Sequence, residues 1–369
     1  MPSQPAPAFA HDAVGRTAVL LINLGTPQAP TASAVRPYLR EFLSDPRVVE
    51  IPPLLWWPIL NGIILAVRPH RSAAKYATIW TEHGSPLLVH SRAQALLLRG
   101  YLGERGLDLD VALAMRYGEP SIASVLNELA ACNVTRLLVL PLYPQFSATT
   151  TATAFDAVNV VLARIRNGPE VRTIKHFHDH PSYIEALKRS VLAHWQHHGR
   201  AQDAGGKLLI SFHGVPHRTL ELGDPYHCEC HKTARLLGQA LGLAPHEYAV
   251  SFQSRFGKAE WLRPYTAAML GDLGRAGARV DVICPGFVAD CLETLEEIDL
   301  EGRHTFISAG GKEFQRIACL NDSPVFISAL ADLVLEHTGA WPVRSADRAV
   351  RESAAKASAQ RARTLGATK

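Results

Sequence analysis

Seven short runs rich in leucine and β-branched side chains alternate along this chain with longer amphipathic stretches, and that alternation leaves few folds open. The runs occupy 17–24, 110–115, 136–142 and 171–176, then 207–212, 247–252 and 279–284. Helical patterns lie between them at 121–132, 183–197, 231–241, 262–273 and 290–300. In the first of these, Ile122, Val125, Leu126 and Leu129 recur at spacings of three and four, which marks one buried helical face. Strands alternating with helices in this way form parallel βαβ units. Several runs are apolar on both faces, as a sheet covered by helices on each side requires. The expected class is α/β, with two similar Rossmann-like domains, each a parallel sheet with helices on both faces, and a cleft between them.

A turn at Arg166-Asn-Gly-Pro169 separates the two sets of runs. The expected division is a flexible N-terminal segment over 1–16, one domain over 17–168 and a second over 169–322. The apolar stretch 325–335 predicts a last helix, within 323–340, that packs back on the body. Residues 341–369 are basic and rich in Ala and Ser, and are expected to be disordered.

Charge narrows the function classes. The net charge of +4 is too small to argue for nucleic acid, and the tail from Arg344 carries seven Lys or Arg against two acidic residues. That tail reads as a solubilising extension, with contact to anionic lipid as the alternative. Six scattered cysteines suggest no disulfide framework, and the first residues lack the basic and apolar regions of a signal peptide. The expected location is therefore cytoplasmic. The apolar segment 51–67 is interrupted by Pro53, Pro58, Asn61 and Gly62, and falls short of the roughly 20 apolar residues a spanning helix needs. Two readings of it stay open: a buried core helix, or an apolar lip whose Trp56 and Trp57 line a ligand mouth or touch a membrane surface.

Open parallel sheets bind ligands beyond the carboxyl ends of their strands, so the residues that follow each run carry the most information. His213 stands at one such exit, in Ser211-Phe-His-Gly214. A neutral imidazole there suits metal coordination or proton transfer, although a lone histidine in this position can equally be structural. Asp290, Glu293 and Glu297 fall at i, i+3 and i+7, which makes one acidic row on a helix. Asp290 and Glu293 also fit a capping box, which leaves Glu297 unexplained. His217, His227, Cys228, Cys230 and His231 are dense in soft ligands, but Cys-x-Cys is too close for a typical zinc pair. That segment reads as a polar loop opening a helix at His231. No dinucleotide fingerprint, Walker A loop or Gly-x-Ser-x-Gly elbow is present. Tyr117, Tyr143, Phe146, Phe252, Trp261 and Phe287, with Arg116 and Arg255, instead suit a large, flat, apolar ligand bearing carboxylates.

Six ordered motifs carry a family resemblance: Leu20-Leu-Ile-Asn-Leu-Gly-Thr-Pro27, Tyr143-Pro-Gln-Phe-Ser147, Ser211-Phe-His-Gly-Val-Pro-His217, Gly223-Asp-Pro-Tyr226, Phe252-Gln-Ser-Arg-Phe-Gly257 and Cys284-Pro-Gly-Phe-Val-Ala-Asp-Cys-Leu-Glu-Thr-Leu-Glu-Glu-Ile298. Over about 17–338 the chain resembles the ferrochelatases. The resemblance implies insertion of Fe²⁺ into protoporphyrin IX, giving protohaem and two protons. It implies that His213 and Glu293 are catalytic and hold the metal, with Asp290 and Glu297 continuing a proton or metal path. It also implies that Tyr76, Arg116, Tyr143, Ser147 and Trp261 line the porphyrin cleft, together with the neighbouring Tyr117 and Phe287. Iron enters as substrate and no tightly bound cofactor is expected. Some relatives carry a [2Fe–2S] cluster on cysteines in a C-terminal extension, and no cysteine follows Cys319 here, so no cluster is expected. Alternatives are a chelatase for coproporphyrin or a cobalt-accepting ring, a non-catalytic tetrapyrrole or metal carrier, and a two-domain receptor of the periplasmic-binding type. Nucleic acid is not expected as a partner, while peripheral contact with the inner membrane surface and the number of associated chains are left open.

Overall fold

A computed structural model describes residues 10–257 and 259–367; most of the expected N-terminal segment, residues 1–9, lies outside the described residues. The strands are β1 (Arg16–Gly25), β2 (Asp110–Tyr117), β3 (Val134–Pro141), β4 (Glu170–Thr173), β5 (Lys207–His213), β6 (Tyr248–Gln253), β7 (Arg279–Ile283) and β8 (Glu313–Arg316). They form two four-stranded sheets of the same design, in the orders β2-β1-β3-β4 and β6-β5-β7-β8. Every neighbouring pair is parallel. Ala18 to Ile22 in β1 and Leu208 to Ile210 in β5 are wholly buried, which accounts for runs that are apolar on both faces.

In each sheet the chain reverses direction of travel between the first and third strands, and that switch opens a crevice beyond the strand ends. In the second sheet it lies between the ends of β5 and β7. His213 closes β5, and the segment after β7 leads directly to Glu293. The fold therefore delivers both residues to one crevice.

Two expectations are corrected, one strand is added and one of two open readings is set aside. The division at 168/169 cuts the first sheet, because β4 pairs with β3 through Arg136–Glu170 to Val139–Thr173. The strand β8 was not expected; it is a four-residue edge strand of mostly polar residues that offers no apolar run. The tail holds a helix, Arg348–Thr364. Its alanines favour helix without a core, Glu352 pairs with Arg348 at i, i+4, and Arg351 reaches Asp108 at 3.0 Å. Finally, 51–67 is no buried core helix: Leu54 is 91% and Trp57 67% exposed, with Leu55, Ile63 and Val67 also open to solvent. Only the inner side of this segment is anchored: Leu60 and Leu65 are buried in a core cluster, and the Trp56 indole N–H donates to the Leu43 carbonyl at 2.7 Å.

The helix Pro324–Thr338 packs against Pro86–Glu104 and Pro181–His198, with Tyr101 bonded to Ser328 and Ser182 to Asp332. Among the described residues no helix is long and apolar enough to cross a membrane.

Candidate active site

His213 sits at a tightly determined point. Gly214, next in the chain, donates its N–H to the Gln253 carbonyl at 2.8 Å. A Cβ at Gly214 would lie 2.7 Å from that oxygen and 3.1 Å from the Trp261 ring, so only glycine fits this close approach. Val215 and His217 pair with Leu262 and Glu260, which sets Trp261 beside the imidazole with ring centroids 6.4 Å apart. Phe287, from the segment after β7, stands edge-on to the imidazole at 6.3 Å. The His213 Nδ1 lies 2.6 Å from the Gly214 carbonyl. A carbonyl only accepts, so that contact assigns the proton to Nδ1 and leaves the Nε2 lone pair for a proton or a metal.

The acids opposite are carried by a π-helix, Glu293–Gly302, where an α-helix was expected. Such insertions are frequent at functional sites, and the helix begins only after Asp290, so the three acids do not form the expected helical row. Asp290 is turned out of it altogether. Arg316 Nη1 donates to Asp290 Oδ1 at 2.8 Å, Asn321 Nδ2 to Oδ2 at 2.8 Å, and Thr294 Oγ1 to Oδ1 at 3.0 Å. Burial would raise the pKa of this carboxyl, but the Arg316 charge and these hydrogen bonds hold it below its ordinary value. Nor does Asp290 cap the helix: the free N–H of Cys291 is taken by Thr294 Oγ1 at 3.0 Å.

Glu293 and Glu297 remain at the cleft. Glu297 takes a hydrogen bond from the Ser254 N–H at 2.6 Å and another from the Ser254 hydroxyl. Burial raises its pKa; the Ser254 bonds and the His213 charge oppose the rise, and Glu293 adds to it. Glu293 also lies close enough to the first half of the molecule to act on it electrostatically. Its charge is felt by Tyr38, Tyr76 and Arg68. Burial is the main reason that both tyrosine pKa values are raised and that of Arg68 lowered, so the two phenols are neutral donors. Arg68 also lies over the Phe256 ring, 4.6 Å from its centroid, and so bridges the two halves.

Gln253 joins these parts from beneath. Its Nε2 donates to the Glu293 carbonyl at 2.9 Å and lies 3.4 Å from Glu297 Oε2, while its Oε1 accepts from Ser211 at 2.8 Å. Gln253, Ser254, Tyr38 and Arg68 were not singled out from sequence. Gln253 and Ser254 stand within a quoted motif, and the register of His213 opposite Gln253 is what gives them their place.

Three other expected cleft residues, Tyr117, Arg116 and Ser147, are committed elsewhere. Tyr117 is fully buried, and its hydroxyl donates to Asp45 at 2.8 Å. Arg116 donates to the same carboxylate at 2.5 Å and to Thr153. Ser147 is buried, bonds Asp224 at 3.0 Å and caps the turn Ala148–Ala152 through the Thr149 N–H. Tyr143 is half-buried, and burial raises the pKa of its hydroxyl. Cys228 and Cys230 lie within the helix Tyr226–Ala240, one exposed and one buried, instead of on a loop before it.

A family model described as Ferrochelatase matches residues 16–338. The chain is 58% identical over 369 residues to a ferrochelatase of Polaromonas sp. strain JS666, covering 98% of each chain. It is 61% identical over 337 residues to that of Chromobacterium violaceum, covering 91% of this chain and 92% of the relative. Among solved structures, SirB from Bacillus subtilis with Fe³⁺ aligns at a TM-score of 0.51 and 12% identity, over 87% of this chain and 95% of that one. At that identity the likeness speaks to the fold of two chelatase-type domains.

Proposed function

The chain belongs to the ferrochelatase family and inserts iron into a porphyrin in haem biosynthesis, and from that premise we propose that His213, Glu293 and Glu297 carry the reaction on protoporphyrin IX. The observation that carries the residue assignment is the His213 ring itself, whose Nδ1 is occupied by the Gly214 carbonyl while Nε2 is left basic.

A free porphyrin holds two N–H protons that block the metal, and both must leave as iron enters. One pyrrole proton passes to His213 Nε2, a neutral base suited to physiological pH. The second passes to the carboxylate pair, where burial has raised the basicity of Glu297. Fe²⁺ sheds its waters against the Glu293 and Glu297 carboxylates, an oxygen set that binds without closing around the ion, since an imidazole that takes a proton at Nε2 has no lone pair left for the metal. Trp261 and Phe287 flank the imidazole and hold a bent macrocycle, with ring contacts offsetting the strain of bending. Tyr76 and Tyr38 remain neutral at working pH and serve as hydrogen-bond donors on the Glu293 side. Asp290 has no part in the proton path; it anchors the segment that carries Glu293.

The exposed apolar residues Leu54, Leu55, Trp57, Ile63 and Val67 favour peripheral contact with a lipid surface. The substrate assignment is tested by anaerobic mixing with Fe²⁺ and either protoporphyrin IX or coproporphyrin, followed through loss of porphyrin fluorescence. Faster insertion into protoporphyrin is expected; a preference for coproporphyrin overturns the assignment.

A further inference from the structure

Away from the cleft, two histidines and a glutamate meet across the seam between the two halves. His176 and His178 lie on the segment that leaves β4, and their rings meet edge to face with centroids 4.8 Å apart. Glu229 comes from the other half, on the helix Tyr226–Ala240. Glu229 Oε1 lies 2.7 Å from His176 Nδ1, and Oε2 lies 3.2 Å from His178 Nδ1. One ligand atom from each of the three residues falls within 4.8 Å of the other two.

The surroundings are those of a built site. The His178 side chain is 5% exposed, and its Nδ1 is buried with no well-aligned hydrogen-bond partner among the described residues, although it faces the carboxylate. A buried ring nitrogen aimed at an anion without a hydrogen bond is poorly satisfied unless something else occupies the space. The other His178 nitrogen faces Asp179 at 3.9 Å, and the Phe146 N–H donates to Glu229 Oε2 at 2.7 Å. Outer partners of this kind orient the ligands of metal sites. His176 is exposed, which gives an ion both an entry path and a position open to water.

We propose that His176, His178 and Glu229 bind a divalent transition-metal ion of the Zn²⁺, Co²⁺ or Fe²⁺ type, separate from the porphyrin cleft, which clamps the two halves together. Two imidazoles and one carboxylate with an open fourth position are a ligand set such ions accept. A site assembled only in the folded protein also stabilises that fold in proportion to metal concentration.

The test uses metal-stripped full-length enzyme, both wild type and carrying His213→Ala with Glu293→Gln to silence the cleft. Each is titrated with Co²⁺ and followed by its visible d–d absorption and by the melting temperature. The expected result is one Co²⁺ per chain in the cleft-silenced protein, with absorption from nitrogen and oxygen ligands and an upward melting shift. Adding His176→Ala and His178→Ala should abolish both signals. His176→Ala alone, at an exposed position, should weaken binding about tenfold or more while leaving the rate of iron insertion unchanged. Absence of Co²⁺ binding in the cleft-silenced protein, or binding indifferent to the histidine changes, overturns the proposal and leaves a hydrogen-bonded cluster only. The comparison among histidine variants stands whether or not the roles given to His213 and Glu293 are right.

Discussion

Ser254 holds both oxygens of the Glu297 carboxylate, its backbone N–H donating to Oε1 and its hydroxyl to Oε2. It does so with φ at 65°, a left-handed conformation that residues other than glycine rarely adopt. Backbone strain of this kind gathers at functional sites when the surroundings enforce it. Here the enforcing groups are Gln253, fixed from below by Ser211, and the carboxylate itself.

Ser254→Gly removes the hydroxyl, keeps the N–H and suits the left-handed backbone. Losing a hydrogen bond to the ionised carboxylate disfavours ionisation, so the Glu297 pKa rises further. If ionised Glu297 accepts a proton during insertion, the acidic limb of the kcat/KM profile moves to higher pH. An unmoved limb, measured under anaerobic conditions, separates Glu297 from the proton path.

Gln253→Ala deprives the Glu293 carbonyl and Glu297 Oε2 of a donor without touching substrate. A lost buried hydrogen bond of this type costs about 1–3 kcal/mol, and kcat should fall by roughly ten- to a hundredfold. The KM for porphyrin should change little, because Trp261 and Phe287 are untouched. A raised KM with unchanged kcat would show that Gln253 shapes the binding surface instead of the acids.

The Asp290–Arg316 pair is structural, with side chains only 8% and 12% exposed. Asp290→Ala leaves the Arg316 guanidinium with Asp299 alone, at 3.3 Å, and should lower unfolding free energy by about 1–3 kcal/mol in a urea titration. The sign with pH follows from the lowered pKa of Asp290. Its contribution is complete above the ordinary carboxylate range and is lost as pH falls through the depressed folded value. Wild type should therefore lose stability on strong acidification more steeply than Asp290→Asn. Equal slopes would remove the pair from the account.

Trp57→Glu combined with Leu54→Glu changes two residues that face solvent. Co-sedimentation with anionic liposomes should be lost, while unfolding free energy stays within about 0.5 kcal/mol of wild type. Undiminished sedimentation would move the lipid contact elsewhere, with the basic helix Arg348–Thr364 as the next surface to alter.

Much of this was legible in the sequence, for identifiable reasons. Strands β1, β3 and β5 are buried on both faces, so their composition alone marks them, whereas the polar edge strand β8 carries no such mark. His213 closes strand β5, where an open sheet binds ligands, and Glu293 opens the helix that the segment after β7 leads into. The acidic row was read as one helix starting at Asp290, whereas the helix begins only after it, so Asp290 was included and its partner Arg316, 26 residues away, went unseen. Arg116, Tyr117 and Ser147 have the right chemistry for a ligand cleft, but Asp45 and Asp224 claim them, and such long-range pairings leave no local pattern. The site of His176, His178 and Glu229 is hidden for the same reason, since it exists only where the two halves meet.

The central claim is that His213 and Glu293 act together on one bound porphyrin. It is tested most directly by anaerobic Fe²⁺ insertion into protoporphyrin IX by wild type, His213→Ala and Glu293→Gln, with porphyrin affinity measured separately by fluorescence titration. Both variants should bind porphyrin nearly as well as wild type and insert iron at least about a hundredfold more slowly, the range expected when a positioned proton acceptor is lost. Wild-type insertion rates in both variants would contradict the claim.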